Sequence, residues 1–250
     1  MEVGARDGLQ NETAPVPTDA KVDFVNALSH TGVDEIEVSA FVSPRWVPQL
    51  GDAEEVLSRI SRRQNVVYNA GLPVRGYVST AFWCAFEGKI APEATVDVVE
   101  RLVDLGVDEV SISDTIGKAS PDEVTRLLDL LLPRLSSDRI AMHFHDTYGR
   151  GVENVLASWS YGLRIFDASV GGLGGCPYAP GATGNVATEA VVKALEGEGA
   201  AVGVDLRGLA QARHLLDPFL MDDRRTLPKD GSPACAACEF SKGATCCSRG

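Results

Sequence analysis

The sequence predicts an α/β fold of parallel strands covered by helices, and three observations carry the prediction. A unit of amphipathic helix, glycine and apolar strand recurs along the chain. The connections between successive units are short, which suits crossovers between neighbouring parallel strands. Polar and ionisable residues gather where the strands end, the habit of a TIM barrel, whose active sites are built from the loops that follow its strands. The length of 250 residues suits one such barrel, which typically needs about 250.

The elements read in order as follows. Residues 1–3 form a short first strand, followed by Arg6-Asp7. Thr18 is placed to cap a helix that carries Val22, Val25 and Leu28 on one face. The second strand lies in Gly32-Val-Asp-Glu-Ile-Glu-Val-Ser39 and ends near Glu37. Its near copy, Gly106-Val-Asp-Glu-Val-Ser-Ile-Ser113, follows a helix striped by Val98, Leu102 and Leu105 and leads into Asp114-Thr115. Gly71-Leu-Pro-Val-Arg-Gly-Tyr-Val-Ser79 and Gly162-Leu-Arg-Ile-Phe-Asp-Ala-Ser169 keep the same shape. Each leading glycine suits the left-handed position just past a helix end. The strand Ile140-Ala-Met-His-Phe-His145 follows a helix over 121–135.

Strands so read lie near Val3, Ile36, Val74, Val110, Met142 and Ile165. A closed barrel of this type needs eight. Between Arg59 and Leu72 the text passes from one helix to what resembles the end of a later one, as if a third and fourth unit were absent. The expected fold is a TIM-barrel-like (β/α)8 relative, incomplete, with about six βα units over 1–225 and a Cys-rich, disordered tail over 226–250.

Composition narrows the function. Lys and Arg total 23 against 35 Asp and Glu, a net charge of −12, which argues against nucleic acid because phosphate backbones are bound by clustered cations. No stretch approaches the roughly 18 apolar residues of a membrane span, so no membrane partner is expected. Six cysteines, two in the body and four after residue 234, do not form the even framework of a small secreted protein. A reducing compartment, the cytoplasm, is expected, with the mitochondrial matrix as the alternative if a presequence is missing. No GxGxxG follows the first strand, which removes the main support for a dinucleotide-binding sheet.

The chemistry sits at the strand ends. His143 and His145 are two apart on a strand, so both imidazoles face the same way. An arbitrary His-x-His is more often a satisfied core pair, but here Asp7 offers a carboxylate and Asn185 a carbonyl oxygen. Mixed nitrogen and oxygen donors favour Mg²⁺, Mn²⁺ or another borderline divalent ion over a thiolate zinc site. The glycine-rich segment 171–185 suits a lid that closes over a ligand. Cys176 near its tip reads either as an incidental thiol or as an acid/base group.

Val3-Gly-Ala-Arg-Asp-Gly-Leu-Gln-Asn-Glu12, Phe41-Val-Ser-Pro-Arg-Trp-Val-Pro-Gln49, Asp114-Thr-Ile-Gly117, His143-Phe-His-Asp-Thr-Tyr-Gly149 and the 171–185 loop together resemble the hydroxymethylglutaryl-CoA lyases. These belong to a wider group of metal-dependent TIM-barrel lyases and synthases. The Arg-Asp-Gly and His-x-His elements are shared across that group, whereas the Cys-bearing loop resembles the lyase branch. The resemblance implies retro-Claisen cleavage of 3-hydroxy-3-methylglutaryl-CoA to acetoacetate and acetyl-CoA. It implies Asp7, His143, His145 and Asn185 as ligands of a divalent cation (Mg²⁺ or Mn²⁺). It also implies Arg6 facing the thioester carbonyl, Cys176 as the lid acid/base, and Glu37 and Asp114 as polar partners. The partner is an acyl-CoA substrate, with a homodimer as a candidate assembly. The alternatives are an inactive, shortened barrel remnant and a related acyl-CoA condensing synthase.

Two segments depart from the resemblance. Phe82-Trp-Cys-Ala-Phe-Glu87 places large aromatics where the family more often has a Gly-Cys-Pro-Tyr-Glu-like turn, and they are expected to crowd the barrel mouth. The tail cysteines Cys235, Cys238, Cys246 and Cys247 resemble a zinc knuckle only loosely, because structural zinc sites pair two separated knuckles.

Overall fold

The computed structural model describes residues 1–10, 12, 14–42, 45, 47–69, 74–174 and 184–220. Its strands are β1 (Glu35–Glu37), β2 (Val67–Asn69), β3 (Arg75–Val78), β4 (Trp83–Cys84), β5 (Gly88–Lys89), β6 (Glu109–Asp114), β7 (Ile140–Phe144) and β8 (Ile165–Asp167). Parallel ladders join β3, β6, β7 and β8 in that order, and a second parallel ladder joins β1 to β2. Glu2 connects the two ladders by bridging to Ile36 on one side and Ala168 on the other. The wall therefore runs β2, β1, residues 1–3, β8, β7, β6, β3. The small antiparallel pair β4 and β5 follows β3 outside that wall.

This wall has seven parallel segments, one more than the strands read from sequence. The addition is β2, which is three residues long, has no leading glycine and is preceded by the polar run 61–65, so no periodic signal marks it. Among the described residues β2 and β3 form no ladder with each other. Only residues 70–74 separate them, far fewer than the dozen or so that a crossover between adjacent parallel strands requires. Among the described residues the wall is one strand short of eight, and the gap falls at this seam.

The helices are α1 (Thr18–Leu28), α2 (Ala53–Arg59), α3 (Pro92–Asp104), α4 (Pro121–Leu131), α5 (Gly151–Ser160), α6 (Thr188–Gly197) and α7 (Leu206–His214). The repeated glycine behaves as expected: Gly32, Gly106 and Gly162 take φ of 84°, 85° and 88°, where a side chain is strained. α4 starts on a complete capping box, with Ser120 and Glu123 exchanging side-chain and backbone bonds and Pro121 in the first turn. Two helix details differ from the sequence reading. Thr18 is the first helical residue and gives its hydroxyl to Asp52 Oδ2 at 2.7 Å, while Pro17 holds the cap position. On α3 the buried face is Thr95, Val96 and Val99, whereas Val98 and Leu105 are 42% and 81% exposed. Leu102 packs on the core as expected, but the rest of the stripe is rotated: Val96 and Val99, not Val98, are buried with it.

Strand alternation divides the side chains between two layers. Val110, Ile112, Ile140, Met142 and Phe144 pack outward against the helices in one apolar cluster. A second cluster joins α1, α2 and α7 to β1 and to Val170 and Leu173. The opposite faces of the same strands carry Ser111, Ser113, His143 and Asp167, all buried. Registers place Ser113 opposite His143 and His143 opposite Asp167. A polar layer inside an apolar shell is what a site at the strand ends requires. The proposed tail, from residue 226, lies outside the described residues.

Candidate metal centre and active site

The first contribution comes from a single π-helical turn, Gly4–Gly8, directly after the first strand. It presents Arg6 and Asp7 together. Gly8 lets the turn lie against the 170–174 segment, since a Cβ there would come 2.9 Å from Leu173 Cβ. The second contribution is the end of β7, where His143 and His145 lie with ring centroids 5.4 Å apart. One ligand atom each from Asp7, His143 and His145 lies within 4.8 Å of the others, and both histidines are buried. The third contribution is Asn185, held beside His145 by an antiparallel bridge. Its Nδ2 donates to Asp7 Oδ2 at 2.7 Å and to Leu173 O at 2.9 Å. Gly174, at φ 117°, makes room for that amide: a Cβ would stand 2.6 Å from Nδ2.

Asp167, at the end of β8, organises the histidines. Its Oδ2 meets His143 Nδ1 at 3.2 Å and Ser111 Oγ at 3.1 Å, and its Oδ1 meets the Arg75 guanidinium at 2.7 Å. That contact turns His143 Nε2 toward Asp7, 4.0 Å away, the carboxylate–histidine arrangement that orients metal ligands. Burial works against a proton on His143, but the Asp167 hydrogen bond and the Asp7 charge outweigh it and raise its pKa. Burial, joined by repulsion from His143, pushes His145 down to about 4. His145 is therefore neutral near pH 7, with a buried Nδ1 that has no hydrogen-bond partner among the described residues. Burial opposes the charge on Asp7 too, yet His143 and Arg6 hold its carboxyl below the usual range. A carboxylate beside a neutral, unsatisfied imidazole and an oriented second imidazole fits a divalent cation.

Arg6 fixes the other side of the site. Its guanidinium pairs with Asp7 Oδ1 at 3.1 Å and Glu37 Oε2 at 2.9 Å, which keeps it charged at any ordinary pH despite burial. Tyr77 on β3 gives its hydroxyl to Glu37 Oε1 at 3.1 Å. The guanidinium carbons of Arg6 and Arg75 lie 5.7 and 5.3 Å from its ring centroid. Tyr77 remains 40% exposed. Burial and the Glu37 charge push its phenol up to about 12.

Of the residues expected from sequence, the structure brings Arg6, Asp7, Glu37, His143, His145 and Asn185 together. Asp114 is a correction: its two carboxylate oxygens accept the backbone amides of Lys118 and Ala119 at 3.1 and 2.8 Å. Strand alternation turns it away from the inward layer of Ser111 and Ser113, so it braces the turn after β6. Burial lifts it to about 6. Asn185 faces Asp7 as a donor, not with its oxygen. Cys176 and most of the glycine-rich segment, 175–183, lie outside the described residues. Asp167, Arg75, Tyr77 and Gln10, whose Nε2 donates to Asp7 Oδ1 at 2.7 Å, were not singled out from sequence. Asp167 ends a strand of the repeated glycine-led unit, the same signal that marked Glu37, and Arg75 and Tyr77 share one face by period two.

Residues 52–216 match the model of the HMGL-like family. The chain belongs to that family. Among its relatives is the hydroxymethylglutaryl-CoA lyase of Pseudomonas mevalonii, 40% identical over 266 residues, covering 84% of this chain and 88% of the relative. The hydroxymethylglutaryl-CoA lyase structure from Pseudomonas aeruginosa superposes with a TM-score of 0.86 at 35% identity, over 90% of this chain and 94% of that one. An HMG-CoA lyase from Acinetobacter baumannii, solved with coenzyme A and 3-methylmalate, gives 0.81 at 36% identity, over 87% and 89%. These neighbours establish the HMGL-like chain as a TIM-barrel relative. The match to the Pseudomonas mevalonii protein spreads 84% of 250 residues, about 210, over 266 aligned positions. Some fifty positions of that HMGL-like relative thus have no counterpart here, in keeping with the unit missing between β2 and β3. No helix among the described residues is long and apolar enough to cross a membrane.

Proposed function

We propose that this chain is a carbon–carbon lyase that cleaves 3-hydroxy-3-methylglutaryl-CoA to acetoacetate and acetyl-CoA. The observation that supports it best is the placement of a fixed guanidinium, Arg6, against the Asp7, His143 and His145 cluster. Asp7, His143, His145 and, with its amide turned, Asn185 would hold Mg²⁺ or Mn²⁺. Such an ion, when bound, supplies a Lewis acid for the substrate's C3 hydroxyl.

The chain's own groups account for the rest of the reaction. The C3 hydroxyl gives up its proton to a base, the C2–C3 bond breaks, C3 becomes the ketone of acetoacetate, and the bonding pair passes to the thioester enolate. Arg6 faces the enolate oxygen with a planar fork already oriented by Asp7 and Glu37, so little reorganisation is needed as charge develops. Tyr77 keeps Glu37 in that pairing. The enolate carbon then takes a proton, which we assign to the Cys176 thiol on the glycine-rich loop.

The decisive experiment is acetoacetate release from 3-hydroxy-3-methylglutaryl-CoA by the purified chain with Mg²⁺ or Mn²⁺. Metal-dependent product supports the reading. No product from a folded protein that binds Mn²⁺ would replace it with the inactive-remnant reading, for which the unpaired seam is the supporting observation.

A further inference from the structure

Glu2 is 1% exposed and lies outside the metal cluster, yet its carboxyl touches the Arg6–Asp7 turn, the entry of the glycine-rich segment and the start of α6 just after Asn185. Its Oε1 accepts the Gly4 amide at 2.8 Å and the Val170 amide at 3.0 Å, and its Oε2 accepts the Thr188 hydroxyl at 2.6 Å. Gly4 opens the turn that carries Arg6 and Asp7. Val170 leads into the glycine-rich segment. Thr188 follows Asn185 by three residues and begins α6. Nothing in the proposed chemistry uses this carboxyl.

We propose that Glu2 is a positioning residue, a buried clasp that sets the Arg6–Asp7 turn, the entry of the glycine-rich loop and the Asn185 segment in one mutual register. Three further observations carry the idea. Gly4 must be glycine for the clasp to form, since a Cβ there would stand 2.7 Å from Glu2 Oε1 and 3.2 Å from Ser169 Oγ. Glu189, next to Thr188, accepts the following amide, Gly171, at 2.9 and 3.2 Å from its two oxygens, so consecutive amides at the loop entry are each held by a carboxylate. Gly171 itself takes φ 62°, a left-handed conformation that turns the chain immediately after the two held amides. A buried carboxyl is costly unless its hydrogen bonds are made, and all three bonds are made to segments far apart in the chain or at the active turn. Burial and the neighbouring Glu189 push Glu2 up to about 7 despite these bonds, so the geometry of its oxygens, more than a fixed charge, is what the arrangement uses.

The inference deepens the lyase reading only in its activity arm; its other measurements stand without it. The test uses the full chain and the variants Glu2→Gln, Glu2→Leu, Gly4→Ala and Thr188→Val. Three quantities are read: Mn²⁺ affinity by calorimetry, amide exchange of the peptide spanning 169–174, and acetoacetate release. Glu2→Gln keeps an oxygen for both amides and offers its NH₂ to the Thr188 hydroxyl, so Mn²⁺ affinity should stay within about threefold of the parent. Glu2→Leu, which fills the space but accepts nothing, should weaken Mn²⁺ by about 10–100-fold, as loss of outer-shell partners does, and speed exchange at 169–174. Should Glu2→Leu not fold, Gly4→Ala displaces the carboxyl and Thr188→Val removes one contact; each should weaken Mn²⁺ in the same direction. Parent-like Mn²⁺ affinity and exchange in folded Glu2→Leu, or in both of the other two variants, would overturn the proposal. So would a Glu2→Gln defect as large as that of Glu2→Leu. A parent with no lyase activity but the predicted metal and exchange differences would overturn the lyase reading and leave the clasp standing.

Discussion

Replacing Asp167 by Asn tests how the metal cluster is built. The carboxylate is fully buried and serves three partners: His143 Nδ1 at 3.2 Å, Ser111 Oγ at 3.1 Å and the Arg75 guanidinium at 2.7 Å. The His143 contact and the Arg75 charge, working against burial, hold Asp167 well below the usual carboxylate range. Asparagine keeps the shape but loses the charge. Arg75 retains Glu109 at 2.7 Å, so the stability cost is that of one charge-assisted hydrogen bond, about 1.5–3 kcal/mol. For a chain of this size that is a fall of roughly 3–12 °C in Tm. The folded pKa of Asp167 is depressed, so its contribution is present above the unfolded value near 3.9 and lost as pH falls through the folded one. The Tm difference between parent and variant should therefore persist from pH 5 to 8.

Metal binding supplies the sharper signature. Without the carboxylate, His143 loses the contact that orients its ring and raises its pKa. Mn²⁺ affinity at pH 8 should fall about 10–100-fold. The proton that competes with metal at His143 should come off at lower pH, so the midpoint of metal binding against pH should move toward acid. Calorimetric Mn²⁺ titrations from pH 5.5 to 8 measure both. Unchanged affinity at pH 8, or a midpoint that stays put while affinity falls, would refute the claim that Asp167 acts through His143.

Arg6→Lys keeps a charge for Asp7 and Glu37 but not the planar fork; acetoacetate release should drop about 10²–10³-fold, the usual cost of one preorganised donor, with a nearly unchanged melting curve. Cys176→Ala should slow turnover sharply at unchanged Mn²⁺ affinity, and equal rates in parent and variant would remove the thiol from the mechanism. His145→Ala should abolish the rise in Tm that Mn²⁺ produces in the parent, because only a folded site gains stability from its ion. At the C-cap of α3, Leu105→Lys should lie within about 0.5 kcal/mol of the parent, whereas Leu128→Ala in the fully buried face of α4 should cost about 2–5 kcal/mol in denaturant titration.

The parts of this fold that sequence reveals are those with a local cause. Gly32, Gly106 and Gly162 mark helix ends because their backbone needs positive φ, and His143 and His145 share a face because strands repeat every two residues. β2 escapes notice because three residues carry no period, and it exists through its ladder to β1. The face of α3 escapes for the opposite reason: Val98 and Leu105 fit a helical stripe as well as Val96 and Val99 do, and only the position of the sheet chooses between them. Asp114 looks like Glu37 and Asp167 in sequence, an acid at a strand end. Its position in the alternation, one residue past inward-facing Ser113, turns it to the amides of the following turn instead. Glu2 is invisible as a functional residue because its partners, Val170 and Thr188, lie more than 160 positions away.

The missing unit and the intact site are compatible because of where each sits on the wall. The metal cluster comes from the 1–8 turn, the end of β7 and the 184–189 segment, and its supports stand on β1, β6, β8 and β3, where Arg75 holds Asp167 and Tyr77 holds Glu37. Neither β2 nor β3, the strands that border the seam, supplies a residue of the Asp7, His143 and His145 cluster. Among the described residues each edge strand there has a row of backbone groups without a ladder partner, normally a liability, and apolar surface is exposed at Val67 on β2 and at Val74 just before β3, 53% and 52% accessible. The shortness of β2 and β3, three and four residues, limits the number of unpaired groups. Arg75 is held from within by Glu109 and Asp167, so β3 is anchored by the inner polar layer as well as by its ladder to β6. The same layer that orients His143 thus also steadies the edge beside the gap, and a loss of Asp167 should be felt at both.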